Sequence, residues 1–253
     1  MFDLQLIRAE LLKLRRRRGM ISIALLTTVG FVALAFGVTA IQHAGDPVKY
    51  GPAGGLAGLR DALPTIEVLV LIMGSIVGAT AGTQDLESGV FRDLAATGRS
   101  RTALFGARFT GGLAVTVPIA LTTAAVMVGG AFAFADGLAT PGAAAVASST
   151  ALLVGAAALA TAAGVGAGAL FGSRGPVIGM LLGFFLAIQP LLAAMGLLGG
   201  GRALVPGQAL ARIGDIPTAH GVHVGLGLGV GVLAAWILAA LGAGAWRTTT
   251  REI

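Results

Sequence analysis

Cysteine is absent from this 253-residue chain, which excludes disulfides, thiolate metal sites and cysteine nucleophiles. Charge is scarce as well. Only 11% of residues are Asp, Glu, Lys or Arg, against about 25% in a soluble domain whose surface water must solvate. Lysine occurs twice, as Lys13 and Lys49, and neither follows a glycine-rich loop, so no P-loop cradle for phosphate exists. HExxH and GxSxG are missing too. The histidines are His43, His220 and His223. With Asp215 they make a metal site conceivable, but the pair at i, i+3 reads as interfacial residues. No nucleophile–base set is found, and the chain reads as a non-enzyme with no cofactor of its own.

What is present is apolar and small. Hydrophobic residues make up 56% of the chain, with 41 glycines and a mean hydropathy of +0.90. A spanning helix needs about 20 apolar residues to cross roughly 30 Å of hydrocarbon. Six such segments fall near residues 20–42, 63–83, 103–134, 143–171, 176–198 and 221–246. The expected fold is an all-α membrane protein forming one transmembrane domain over 1–253. The first span has a basic flank, but its apolar stretch is too long for a cleaved signal, so it is retained as a helix. Glycine runs such as Gly74-xxx-Gly78-xxx-Gly82 and Gly164-xxx-Gly168-xxx-Gly172 lie inside spans and read as close-packing stripes.

Orientation follows from lysine and arginine near the span ends. With the N-terminus inside, thirteen fall on the cytoplasmic side (Arg8, Lys13, Arg15 to Arg18, Arg92, Arg99, Arg101, Arg108, Arg174, Arg247 and Arg251). Only four, Lys49, Arg60, Arg202 and Arg212, fall outside. Both termini are therefore expected in the cytoplasm. The net charge of +6 lies beside apolar spans, not along a solvated face, so nucleic acid is not expected as a partner. Residues 1–18 form their own unit. Leu4, Ile7, Leu11 and Leu14 repeat at helical spacing with Arg8, Glu10, Lys13 and Arg15 on other faces, the pattern of an interfacial helix in contact with lipid.

The spans contain almost no ionisable group. Glu67 is placed near the outer end of the second helix, and no ladder of carboxylates offers a proton or sodium path. An external energy source is the better reading, with an ATP-independent carrier or channel as the alternative. Along a substrate path the candidates are Glu67, Phe184, Phe185 and Gln189, the last three equally readable as core. Residues 199–220 contain Pro206 and Pro217 and by themselves read as an outer loop.

Residues 84–102 form the informative loop. Leu86, Val90, Phe91 and Leu94 share a helical face, while Asp85, Glu87, Arg92 and Asp93 occupy the others. Thr97–Gly98 marks a helix stop, and Ser100 is placed to cap the next helix. This is a short amphipathic helix whose ridge fits a groove on a cytosolic partner.

The loop resembles the first coupling-helix region of ABC-2 type transporter permeases, with the pattern E-x-E-x-G-T-x-E-x-L-x-x-T-P-x-S-R and a lysine seven residues later. Asp85, Glu87, Gly89, Leu94, Thr97, Ser100 and Arg101 match in register, with Arg108 at the lysine position. Val90 replaces the usual threonine and Gly98 the proline. The N-terminal segment resembles the family's elbow helix. The resemblance implies the permease subunit of a bacterial plasma-membrane exporter, two permease copies paired with two ABC ATPase subunits that bind ATP and magnesium. It also implies a partly re-entrant outer segment, for which residues 199–220 are the candidate. The charge-poor, small-residue spans themselves suit an apolar or amphipathic cargo such as a drug, lipid or peptide. Taken with the amphipathic loop helix, the resemblance assigns Asp85, Glu87, Gly89, Phe91, Arg92, Leu94, Arg99 and Arg101 to the ATPase contact.

Overall fold

The computed structural model describes residues 4–90, 93, 98–217 and 224–250. Among the described residues the structure is helical throughout, without strands. An N-terminal helix, α1 (Leu4–Arg16), turns at Arg17 into the first span, α2 (Arg18–Gly45). Four further spans follow: α3 (Gly55–Glu87), α4 (Arg101–Ala133), α5 (Ala143–Phe171) and α6 (Arg174–Ala194). A 3-10 segment, Gly196–Leu204, and the short helix α7 (Pro206–Ile213) lead to the last span, α8 (Leu226–Thr250). Six helices are thus long and apolar enough to cross a membrane.

Local chemistry sets several helix ends. Ser100 caps α4 by accepting the amide of Ala103 at 3.2 Å. Gly172 ends α5 in the left-handed region at φ 74°, returning its amide to the Gly168 carbonyl at 2.9 Å. Spans α2 and α6 each contain one π-helical turn, Leu26–Gly30 and Phe184–Ile188.

The middle of the bundle is the parallel pair α3 and α5, which approach backbone to backbone. A Cβ at Gly78 would lie 2.5 Å from the Thr161 carbonyl oxygen, and one at Gly164 2.5 Å from the Ala79 amide nitrogen. Gly74 and Gly82 meet Ala160 and Val165 in the same way. Small residues permit this approach, and dispersion over the shared surface stabilises it where lipid supplies no hydrophobic drive between helices. Thr116 of α4 and Thr161 of α5 add a buried hydroxyl pair at 3.0 Å. On α8, Gly244 packs against Gly166.

The outward faces are apolar. Leu26, Phe31, Leu34 and Ile41 on α2 are exposed, as are Leu226, Val230, Leu238 and Trp246 on α8. In water such faces would be a liability. Around a bundle whose backbone groups are satisfied within helices, they are the lipid-facing surface.

The structure differs from the sequence reading at several ends. Helix α3 starts at Gly55, eight residues before position 63, so Glu67 is twelve residues inside the helix and not near its outer end. At about 1.5 Å per residue that is roughly 18 Å. Helix α6 stops at Ala194, and α8 begins at Leu226 and runs to Thr250. Between them, residues 196–213 fold back among the spans. The indole of Trp236, ten residues into α8, donates to the Leu204 carbonyl at 2.9 Å. Leu210 packs at Gly155, and Gly207 against the Gln189 side chain. His220 and His223 lie outside the described residues.

The glycine contact gives a direct test. Gly164→Ala should destabilise the detergent-solubilised protein by about 1–3 kcal/mol, the usual cost of overpacking against atoms that cannot move. Gly179→Ala, where a Cβ meets nothing within 4 Å, should be neutral or slightly stabilising. Thermal and denaturant unfolding of both variants checks this. Equal behaviour would remove the close α3–α5 contact from the account.

Candidate functional site

The two feet of the 84–102 loop carry side-chain ties to α1, α6 and α8 and to each other. Helix α3 runs through Asp85, Leu86 and Glu87 and stops at Ser88–Gly89, with Gly89 at φ 72°. Asp85, Leu86 and Glu87 are therefore the last turn of a span, where the sequence reading placed them on the loop helix; beyond the turn Val90 and Asp93 are helical. Phe91, Arg92 and Leu94, assigned from the sequence to its ridge and flank, lie outside the described residues.

Asp85 is the centre of a buried ionic cluster. Its Oδ1 accepts from the Lys13 ammonium at 2.9 Å, and its Oδ2 from the Arg108 guanidinium at 3.2 Å. Lys13 also donates to Glu10 at 2.7 Å. The side chains of Arg108 and Asp85 are 1% and 6% exposed. The cluster thus fastens α1 to the end of α3 and the start of α4. This overturns the expected amphipathic split of α1, in which Glu10 and Lys13 pointed away from the apolar face. Glu10 instead packs over Gly111 of α4, beside the fully buried Leu14. The pairing of Lys13 with Glu10 and Asp85, and of Arg108 with Asp85, offsets the cost of bringing these charges inward.

The electrostatics follow from that burial. Desolvation pushes the Glu10 carboxyl above its ordinary value. The Lys13 hydrogen bond offsets part of this, and the Asp85 charge adds to it. Burial alone would lower Lys13, but its bonds to Glu10 and Asp85 outweigh it and hold its ammonium above the usual lysine value.

The neighbouring residues reach other helices. The Glu87 carboxylate accepts the Arg174 amide at 2.6 Å, satisfying a free donor at the start of α6. Arg101 donates to the Thr249 carbonyl at 3.1 Å, tying α4 to the end of α8. Arg99 is exposed. Asp85, Glu87 and Arg101 thus tie helices together, where the sequence reading had assigned them to a partner contact. Glu10, Lys13 and Arg108 complete the cluster. The sequence signal for Arg108 was a charge seven residues into α4, where an apolar span needs it paired.

The path candidates separate. Phe184 and Phe185 lie in the π-helical turn of α6 with ring centroids 5.4 Å apart, and Phe184 sits 5.5 Å from Trp236. They line an apolar cavity of about 380 Å³ between α5, α6 and α8. Gln189 is buried one turn further, and its Oε1 has no hydrogen-bond partner among the described residues. Glu67 is buried in α3 and is not among the cavity's lining residues. Among the described residues no group of three or more His, Asp or Glu side chains is placed to hold a metal ion.

A family model described as ABC-2 family transporter protein matches residues 6–190. No curated protein matches the chain.

Because Asp85 serves two cations at once, its loss removes one partner from Lys13 and one from the buried Arg108. Asp85→Asn should cost about 3 kcal/mol or more in denaturant unfolding, the range for breaking a buried ion pair. Glu87→Gln, more exposed and with one neutral donor, should cost about 1 kcal/mol or less. If Asp85→Asn unfolds with the wild type, the cluster does not hold these helices together.

Proposed function

The chain belongs to the ABC-2 transporter family, and from that premise we propose that it is the membrane subunit of an ATP-driven exporter whose ATPase is a separate chain. Family membership makes it a transport permease and implies an ABC ATPase partner. Direction, copy number and cargo are our reading.

One observation carries the coupling part of this reading. The foot of the 84–102 loop is fastened by Asp85 to α1 and α4, by Glu87 to α6, and across the loop Arg101 reaches α8. A push delivered to that loop is therefore passed to five helices at once. The ridge of Val90, Phe91 and Leu94 is the surface we assign to the ATPase groove. The thirteen-to-four charge bias supports cytoplasmic termini in a plasma membrane.

The cargo we assign is apolar or amphipathic, because the Phe184–Phe185–Trp236 cavity presents rings and alanines. Two copies of the chain would form the pathway. Gly175, Gly179 and Gly183 make a stripe on α6 with nothing within 4 Å of their missing Cβ atoms, a face suited to close approach by a second copy. The segment from Gly196 to Ile213 we read as re-entrant, on the strength of its contacts with Gln189, Gly155 and Trp236 deep within the spans.

The experiment is co-purification with a candidate ABC ATPase subunit, followed by transport into vesicles. The isolated chain should neither bind nor hydrolyse ATP. Phe91→Ala should weaken assembly roughly thirtyfold, since an aromatic anchor contributes about 2 kcal/mol. Glu87→Gln should assemble and hydrolyse ATP but transport poorly. Assembly and transport at wild-type levels by Phe91→Ala would remove this loop as the coupling element.

A further inference from the structure

A second cavity, of about 520 Å³, opens between α2, α3 and α6 at the basic face of the bundle. Its mouth is set by Arg17, at the corner between α1 and α2, and by Arg174, at the start of α6. Neither guanidinium has a carboxylate partner among the described residues, although the Glu87 carboxylate sits on the Arg174 backbone amide. The adjoining Arg15, Arg16 and Arg18 add further positive charge.

Behind the mouth the walls are apolar: Met20, Ile23, Ala24, Ile72, Ile76 and Ile178. Two threonines also line the cavity, but both hydroxyls are satisfied within their own helices. Thr27 donates to the Ile23 carbonyl at 2.8 Å and Thr80 to the Ile76 carbonyl at 2.7 Å. The interior therefore offers a polar solute no free side-chain donor. From Arg17 to Thr27 the groove runs ten residues along α2, roughly 15 Å, which is about half of a 30 Å hydrocarbon core.

A cationic mouth on a dry groove one leaflet deep is complementary to one kind of molecule. We propose that this groove holds an anionic phospholipid of the leaflet that meets the basic face, its phosphate between Arg17 and Arg174 and an acyl chain along Ile23, Ile72 and Ile76. Naming that leaflet cytoplasmic rests on the orientation proposed above; the site itself does not. A zwitterionic lipid has the same chains but carries a cation that the arginine cluster repels. The site is separate from the Phe184–Trp236 cavity, which lies on the opposite side of α6 against α5 and α8. A lipid here would wedge α2 and α6 against α3, beside the loop foot that Glu87 ties to α6.

The test uses the full chain in nanodiscs of equal parts phosphatidylglycerol and phosphatidylcholine, followed by native mass spectrometry. Wild type should retain one phosphatidylglycerol per chain in preference to phosphatidylcholine. Each arginine beside an anionic headgroup contributes about a fivefold preference, so Arg17→Gln with Arg174→Gln should lower retention about thirtyfold. Ile23→Trp, which fills the groove from its exposed side and leaves both arginines, should also expel the lipid. Retention by the double arginine variant would overturn the site. Retention by Ile23→Trp would reduce it to headgroup adsorption and overturn the groove. A photo-crosslinker at Ile76 should capture phospholipid; capture of a second copy of this chain would show the groove to be a protein interface and overturn the proposal.

Discussion

Two acids and two bases meet where the N-terminal helix crosses the bundle, and the arrangement of the basic face depends on them. Glu10, Lys13, Asp85 and Arg108 come from three helices, and Asp85 directs one oxygen to each cation. Such charges are costly to bury singly and tolerable only as a complete set. That makes the cluster a discrete fastening: α1, α3 and α4 are held together while it is intact. Lys13, with its ammonium held above the ordinary lysine value, stays charged through the physiological range.

The rest of the bundle is closely packed near this fastening and irregular away from it. Glycine contacts lock α3 to α5 and α5 to α8 at backbone distance. Farther from the basic face, α6 loosens into a π-helical turn beside Phe184 and Phe185, then breaks into the folded-back segment Gly196–Ile213. The apolar cavity lined by those rings sits at this transition. The ties at the loop foot therefore join one end of the bundle, and the irregular part of α6 lies away from them. The groove between α2, α3 and α6 opens at the basic face, where a bound lipid would bear on α6.

The six spans were legible because a run of apolar residues is a local property, and the charges that interrupt such runs mark the membrane faces. Helix ends were less so. Gly55 opens α3 because its left-handed φ of 80° fits against Leu138, a residue of a different connection. That tertiary fit is what moved Glu67 from a helix end to a helix interior. The loop's importance was also legible, from Asp85 and Glu87 at its foot, but their partners were not. Lys13 and Asp85 are 72 residues apart in sequence. Helical periodicity put Glu10 and Lys13 on the polar side of α1 because it counts spacing and cannot see a buried carboxylate waiting on another helix. Glycine spacing announced close packing without saying which span would fill the stripe.

The central claim is that α1 and the start of α4 move together because the buried cluster joins them. Electron paramagnetic resonance distances between spin labels at Leu12, on the exposed side of α1, and Thr102, at the exposed start of α4, test it in the assembled complex. We expect one narrow distance that stays the same with and without ATP, and a broadened one in Asp85→Asn. A wild-type distance that shifts or splits when ATP is added would show α1 moving independently of α4 and would contradict the account.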